Sequence, residues 1–273
     1  MMKKISMLIC LFGTLGLMLG CFVGGKVPGG NASGSHRFTG DIGAPSTPPP
    51  PRARYPQVVA SYNALNTSLS ALKASYNYNR DVFLPIKDQF KNSIFNEFKM
   101  DFNDDRARGD VYVSLKHEVA DITNLKTVIE ALISSNTSQF DKVFALCLLY
   151  RLRASAMYIR EIVDENEGIL SQANLDVLRH SNDLRGMNLL KADLDEMLSL
   201  RNIVADMAKG MLEEAVRVVG DNAKVLLELN LITSDQGDLK ENINSATKRS
   251  LRDLRTKIES TFNNLRLQVL RSE

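Results

Sequence analysis

Tryptophan is absent from this 273-residue chain, and cysteine and histidine occur three times each. Each scarcity closes off a class of chemistry. Cys10, Cys21 and Cys147 form no closely spaced pair, so no cysteine metal site can be built from them. His36, His117 and His180 stand alone, and His117-Glu118 opens no His-Glu-x-x-His zinc helix because position 121 is Asp. No glycine-rich loop follows a strand pattern, and no Gly-x-Ser-x-Gly elbow occurs. The acids Asp164, Glu165 and Glu167 read as a solvated helix end. The expectation is a protein without catalytic residues, metal or cofactor. An excess of one charge is also missing. The formal charge is +2, from 34 basic and 32 acidic residues. That balance gives no electrostatic reason to expect nucleic-acid binding.

What is present begins at the first residue. Lys3 and Lys4 precede an apolar run from Ile5 to Leu19, followed by Gly20 and Cys21. A basic start, an apolar stretch and a small residue before a cut describe a secretory signal peptide over residues 1–20. The run is shorter than the ~20 apolar residues of a permanent span. Leu17-Met18-Leu19-Gly20-Cys21 resembles a lipobox, with Met18 a departure of the kind met in the looser lipoboxes of spirochaetes. Cys21 is therefore the expected lipidation site, and two or more acyl chains give stable attachment. Cleavage removes Cys10, Lys3 and Lys4, leaving 32 basic against 32 acidic residues. With Cys21 acylated, Cys147 has no partner for an intramolecular disulfide and reads as a small buried hydrophobe.

Residues 21–57 form the lipidated Cys and a disordered tether. Positions 22–57 hold seven of the eight prolines and seven of the sixteen glycines, including Pro48-Pro49-Pro50-Pro51. Such a stretch cannot bury enough apolar surface to offset its ordering entropy. The glycine-rich half should be flexible and the proline run stiffer.

Residues 58–273 read as an α-helical domain, large enough for one sizeable core. Val58, Tyr62, Leu65, Leu69, Leu72 and Tyr76 recur at helical steps. Phe83, Ile86, Phe90, Ile94 and Phe98 continue in a second segment, with Pro85 in its first turn. Residues 103–109 read as a loop. A third helix carries Leu115, Val119, Ile122, Leu125, Ile129 and Leu132. Residues 134–138 end it and cap the next, a central apolar helix over 138–166 with Phe140, Val143, Phe144, Cys147, Leu148, Met157 and Ile162 inward. Arg151, Arg153 and Arg160 on that helix suit either buried ion pairs or a contact surface. Gly168 stops it, and Ser171 starts a short helix that Gly186 interrupts. A long helix spans Met187–Val219, a short one follows Gly220 to Ile232, and residues 233–237 form a turn. The last helix, 238–271, sets Leu239, Ile243, Ala246, Leu251, Leu254, Ile258, Phe262, Leu265 and Val269 near heptad spacing. Leu251, Leu254, Ile258, Phe262 and Leu265 are its candidate seam, either packed on the body or paired with a second copy as a homodimer. The fold class is an all-α multi-helix bundle with a long C-terminal amphipathic helix behind a disordered tether. Asn66 and Asn136 match glycosylation acceptors, which the lipoprotein signal makes irrelevant.

Tyr112-Val113-Ser114-Leu115, Leu125-Lys126, Ile129-Glu130-Ala131-Leu132, Asn136 through Phe140, Leu149-Tyr150, Leu170-Ser171-Gln172 and Leu184 follow one another in a characteristic order. In that order and spacing the chain resembles the paralogous borrelial outer-surface lipoproteins, the family that includes the complement regulator-acquiring surface protein CspA. The resemblance covers about a third of the chain and transfers no ligand-binding residue. It implies an outer-membrane, cell-surface lipoprotein that binds host serum proteins, factor H or terminal complement components foremost, and a dimer through the C-terminal helix. The segment after Val219 is longer here than in the factor H-binding member. Two alternatives stand beside that expectation: an adhesin for extracellular matrix or plasminogen, and a structural lipoprotein with no host ligand.

Overall fold

A computed structural model describes residues 56–134, 137–233 and 249–272. The elements among the described residues are all helices, packed as a multi-helix bundle. The first, α1 (Pro56–Tyr76), opens two residues before the expected start of the helical domain. Proline at the first helical position has its φ already set and no N–H to lose, so Pro56 starts the helix. Val58, Tyr62, Leu65, Leu69 and Leu72 are buried, the stripe their spacing predicts.

The expected second segment is broken into short pieces. Asn79 turns left-handed (φ 53°) ahead of the single turn α2 (Arg80–Phe83), and Leu84–Ile86 is a 3-10 turn around Pro85. Proline removes a ladder donor there, so α3 (Asp88–Phe95) begins afresh. The aromatic positions still reach the core: Phe83, Phe90, Phe95, Phe98 and Phe102 are all buried.

The next correction is larger. Residues 105–109 are helical, not loop, within α4 (Asp105–Ser114). The Asp104 carboxylate accepts the Ala107 N–H at 2.6 Å and caps that helix. The break falls instead at 115–118, where Lys116 and His117 both sit at φ 54°. Two consecutive left-handed residues cannot continue an α-helix, so α5 (Val119–Ile133) is a separate element.

A capping box formed by Ser138 and Asp141 opens α6 (Gln139–Val163). This helix is central, touching α1, α4, α5 and the C-terminal helix. Its buried stripe is Ala145, Leu148, Leu149, Leu152, Ala156, Ile159 and Ile162. Phe140, expected inward, is exposed, and Val143, Phe144, Cys147 and Met157 are only half-buried. The face is rotated because the helix is apolar almost all round, and composition alone leaves its orientation open. Gly168 then turns the chain so tightly that a Cβ would lie 2.4 Å from the Asp164 carbonyl oxygen.

After α7 (Gln172–Leu178) comes the longest helix, α8 (Leu184–Arg217). Gly186 does not interrupt it. It lies in the first turn, where the Asp183 cap accepts its N–H at 2.9 Å, and a Cβ there would meet Leu265 at 2.5 Å. The glycine serves close helix approach. Past Gly220 (φ 110°), α9 (Asn222–Glu228) and α10 (Asn230–Thr233) complete the run.

The last helix, α11 (Leu251–Ser272), packs on α8, α6 and α7. Positions 234–248, with Leu239, Ile243, Ala246 and the first part of the expected 238–271 helix, lie outside the described residues. Leu251, Leu254, Ile258, Phe262 and Leu265 are all buried in the core of the single chain. The stripe is therefore occupied by the body itself. Ser250 and Asp253 exchange N–H bonds of 3.0 and 3.1 Å at its start. Lys257 reaches the buried Asp193 of α8 at 2.6 Å, and Arg249 reaches Glu196 at 2.7 Å.

Candidate functional site

A depression of about 590 Å³ opens where the end of α1, the α2–α3 pieces, α4 and the end of α6 converge. That volume is ordinary for a ligand site. Its floor is aromatic: Tyr76, Phe83, Tyr112 and His117 line it, with Phe83 centred 4.7 Å from Tyr112 and 5.7 Å from His117. His117 projects there because its left-handed backbone ends the α4 turn, and its Nδ1 donates to the Tyr78 carbonyl at 2.9 Å. Burial holds the imidazole below its ordinary pKa, and the Arg201 and Arg80 charges push the same way.

On the wall made by α4 and α6 the arginines are paired internally. Arg160 forms two 3.0 Å bonds to the two oxygens of Asp110, a carboxylate only 1 % exposed. Burial pushes the Asp110 carboxyl up against that pairing. Arg108 bonds Asp105 at 2.6 Å, and Arg106 reaches Glu167 at 3.3 Å. Asp164 accepts the N–H groups of Asn166 and Glu167, 3.0 Å each, which holds its carboxyl below the usual range.

The opposite lip differs. Lys73, Arg80, Lys87 and Lys91 line it, and among the described residues none of them lies within ion-pair distance of a carboxylate. Arg108, with Lys87 and Lys91 adding to it, holds the Asp105 carboxyl below its usual range. Asp88 is the single carboxylate on that lip. A neighbouring hollow of about 450 Å³ also holds arginines, but Arg255 is bonded to Glu161 (2.7 Å) and to Glu259, so its charge is met locally.

Two buried groups stand behind the cleft. Arg201 of α8, 3 % exposed, donates to the Ser75 hydroxyl and carbonyl (2.9 Å each) and to the Val113 carbonyl (3.2 Å). It thereby holds the last turns of α1 and α4, which carry Tyr76 and Val113 into the wall. The Tyr112 hydroxyl is buried with no hydrogen-bond partner among the described residues. Burial raises its pKa, with Asp88 and Asp105 adding to the rise and Arg108 opposing it.

Of the residues singled out from sequence, Arg160 takes the ion-pair role. Arg153 lies over the Phe102 ring at 5.9 Å, its Nε buried and without an acceptor among the described residues, and Arg151 is half-buried. Cys21 lies outside the described residues. Tyr76, Tyr112, Lys87, Lys91 and Arg201 were not visible as a group, because they come from four separate segments. The one local hint is the alternation of aromatics and lysines between positions 76 and 91. Among the described residues no cluster of His, Cys, Asp or Glu is arranged to hold a metal, and no helix is long and apolar enough to cross a membrane. What the cleft offers a ligand is cationic lip and aromatic floor. No protein-family model, curated protein or solved structure matches the chain.

Proposed function

We propose that this chain is a lipid-anchored protein of the outer membrane, displayed at the cell surface, whose helical body binds a host protein. Factor H or terminal complement components are the favoured partners. The observation that carries the reading is the order of parts: a lipobox ending at Cys21, a proline- and glycine-rich tether, and a helical body opening at Pro56. Lipid fixes one end, the spacer carries the body clear of the headgroups, and the body presents a charged, aromatic cleft. The resemblance to the borrelial surface lipoproteins names the class of partner.

The test has two arms. Protease added to intact cells should remove the protein, and protection until lysis would refute surface display. The chain from residue 22, incubated with serum, should retain factor H or a terminal complement component. Retention of no serum protein at micromolar concentration would sink the complement reading. The exposed Lys91 and half-buried Lys87 favour a second reading, capture of plasminogen. That reading fails if a lysine analogue does not compete.

A further inference from the structure

The cleft is electrically and chemically incomplete on one side. Four cations on the α1–α3 lip face no carboxylate within ion-pair distance among the described residues, while on the opposite wall Arg106, Arg108 and Arg160 are each paired and the acids Asp164 and Glu165 stand beside them. Between them lies an aromatic floor with a buried hydroxyl that has no hydrogen-bond partner among the described residues. A buried, unbonded hydroxyl is costly, and a ligand that bonds to it recovers that cost. The cations are spread along three elements and do not converge on one point, which suits a chain of spaced carboxylates better than a single phosphate.

We propose that this cleft receives an acidic peptide segment of a partner protein. Its carboxylates meet Lys73, Arg80, Lys87 and Lys91, an apolar side chain lies on Tyr76, Phe83 and Tyr112, and one of its polar groups bonds the Tyr112 hydroxyl. The proposal rests on the host-protein reading above, and supplies its contact surface. A sulfated glycan would use the lip but neither the aromatic floor nor the hydroxyl.

The test uses the chain from residue 22 and a short fluorescent peptide of alternating glutamate and phenylalanine, followed by anisotropy. Controls are the same peptide with glutamine for glutamate, and a heparin fragment. The glutamate peptide should bind at least about tenfold more tightly than its glutamine counterpart, and more weakly as salt rises. K87E/K91E, a change at the partly exposed lip, should weaken binding about tenfold or more with an unaltered melting temperature. Tyr112→Phe should weaken binding about fivefold while the melting temperature stays level or rises, since the fold loses only an unbonded hydroxyl. Equal binding of the two peptides, or none by about 1 mM, would overturn the proposal. So would heparin binding more tightly than the glutamate peptide with no response to Tyr112→Phe. If K87E/K91E still retains the serum protein at full strength, the cleft assignment falls and host binding stands. If the parent chain retains no serum protein but binds the acidic peptide through Lys87 and Lys91, the host reading falls and the cleft stands.

Discussion

Replacing Arg201 by alanine should cost the bundle about 4 kcal/mol, and replacing it by methionine only about 1 kcal/mol. The difference follows from what the guanidinium does. It is buried, and its acceptors are the Ser75 hydroxyl and carbonyl and the Val113 carbonyl. Those carbonyls belong to the last turns of α1 and α4, the negative ends of two helix dipoles. Burial nonetheless pushes the guanidinium from 12.5 down to about 10. At ~1.4 kcal/mol per pKa unit, the charge sits there at a net cost of about 3 kcal/mol. Its value therefore lies in filling space and satisfying carbonyls. Alanine opens a cavity (about 2–5 kcal/mol) and orphans two carbonyls (about 1–3 kcal/mol each), offset by the ~3 kcal/mol of relieved desolvation. Methionine keeps most of the volume, so only the carbonyl loss opposes that relief. For a body of this size the melting temperature should fall by about 12 °C for alanine and about 3 °C for methionine. Thermal and urea unfolding followed by far-UV circular dichroism reads both. Equal losses for the two variants would mean that the charge itself stabilises, and would refute the reasoning. A loss under about 1 kcal/mol for alanine would refute the carbonyl role.

Gly186→Ala should destabilise by about 1–2 kcal/mol although alanine is the better helix former, because its Cβ would lie 2.5 Å from the buried Leu265 side chain. In a Leu265→Ala background the same change should cost less than about 0.5 kcal/mol, and simple additivity in urea unfolding would refute the close approach. His117 has its folded pKa depressed by burial, so the unfolded chain takes the proton first as pH falls. Its contribution is complete above the unfolded value of about 6.5 and is lost as pH drops below it. His117→Asn, which tolerates the left-handed backbone, should lose less melting temperature than the parent between about pH 7.5 and about pH 5.5. The comparison with the parent is needed because burial raises Asp110 and Asp121, whose contributions run the other way. Asp193→Ala should cost about 2 kcal/mol by releasing Lys257 and Arg249, and should speed hydrogen exchange in α11 ahead of the rest. Uniform acceleration across all helices would contradict that localisation.

The elements legible in the sequence are those with one apolar face. The stripe from Val58 to Leu72 in α1 and the Leu251–Leu265 stripe in α11 are buried where their spacing placed them. Ser138 is legible as a cap because a carboxylate stands three residues on. The failures share a cause: one residue type serving opposite local ends. Asn103-Asp104-Asp105 suits a loop, yet Asp104 uses the same carboxylate to start α4. Gly186 looks like a breaker, but the tight approach of Leu265 that requires it comes from 79 positions away in the chain. Lys116 and His117 carry no turn signature, and their left-handed pair is imposed by the packing that seats His117 on Phe83. The cleft lay beyond reading for the same reason. Its cations look like ordinary solvated lysines until α1, α3 and α4 are brought together.

The distribution of charge then says more than its total. The chain carries 34 basic and 32 acidic residues, and several of its acids are given to cations that the fold brings beside them. Asp193 takes both Lys257 and Arg249, Glu161 takes Arg255, Glu97 takes Lys142, and Asp110 is given wholly to Arg160. At the α1–α3 lip Lys73, Arg80, Lys87 and Lys91 form no ion pair among the described residues. Arg201, buried behind that wall, is likewise answered by carbonyls and a hydroxyl and by no carboxylate among the described residues, so its charge adds to the same side. Asp88 stands on that lip but forms no ion pair with its four cations among the described residues, and an acidic segment from a partner would meet them when it is bound. The lip is thus the charge that the proposed acidic segment would complete.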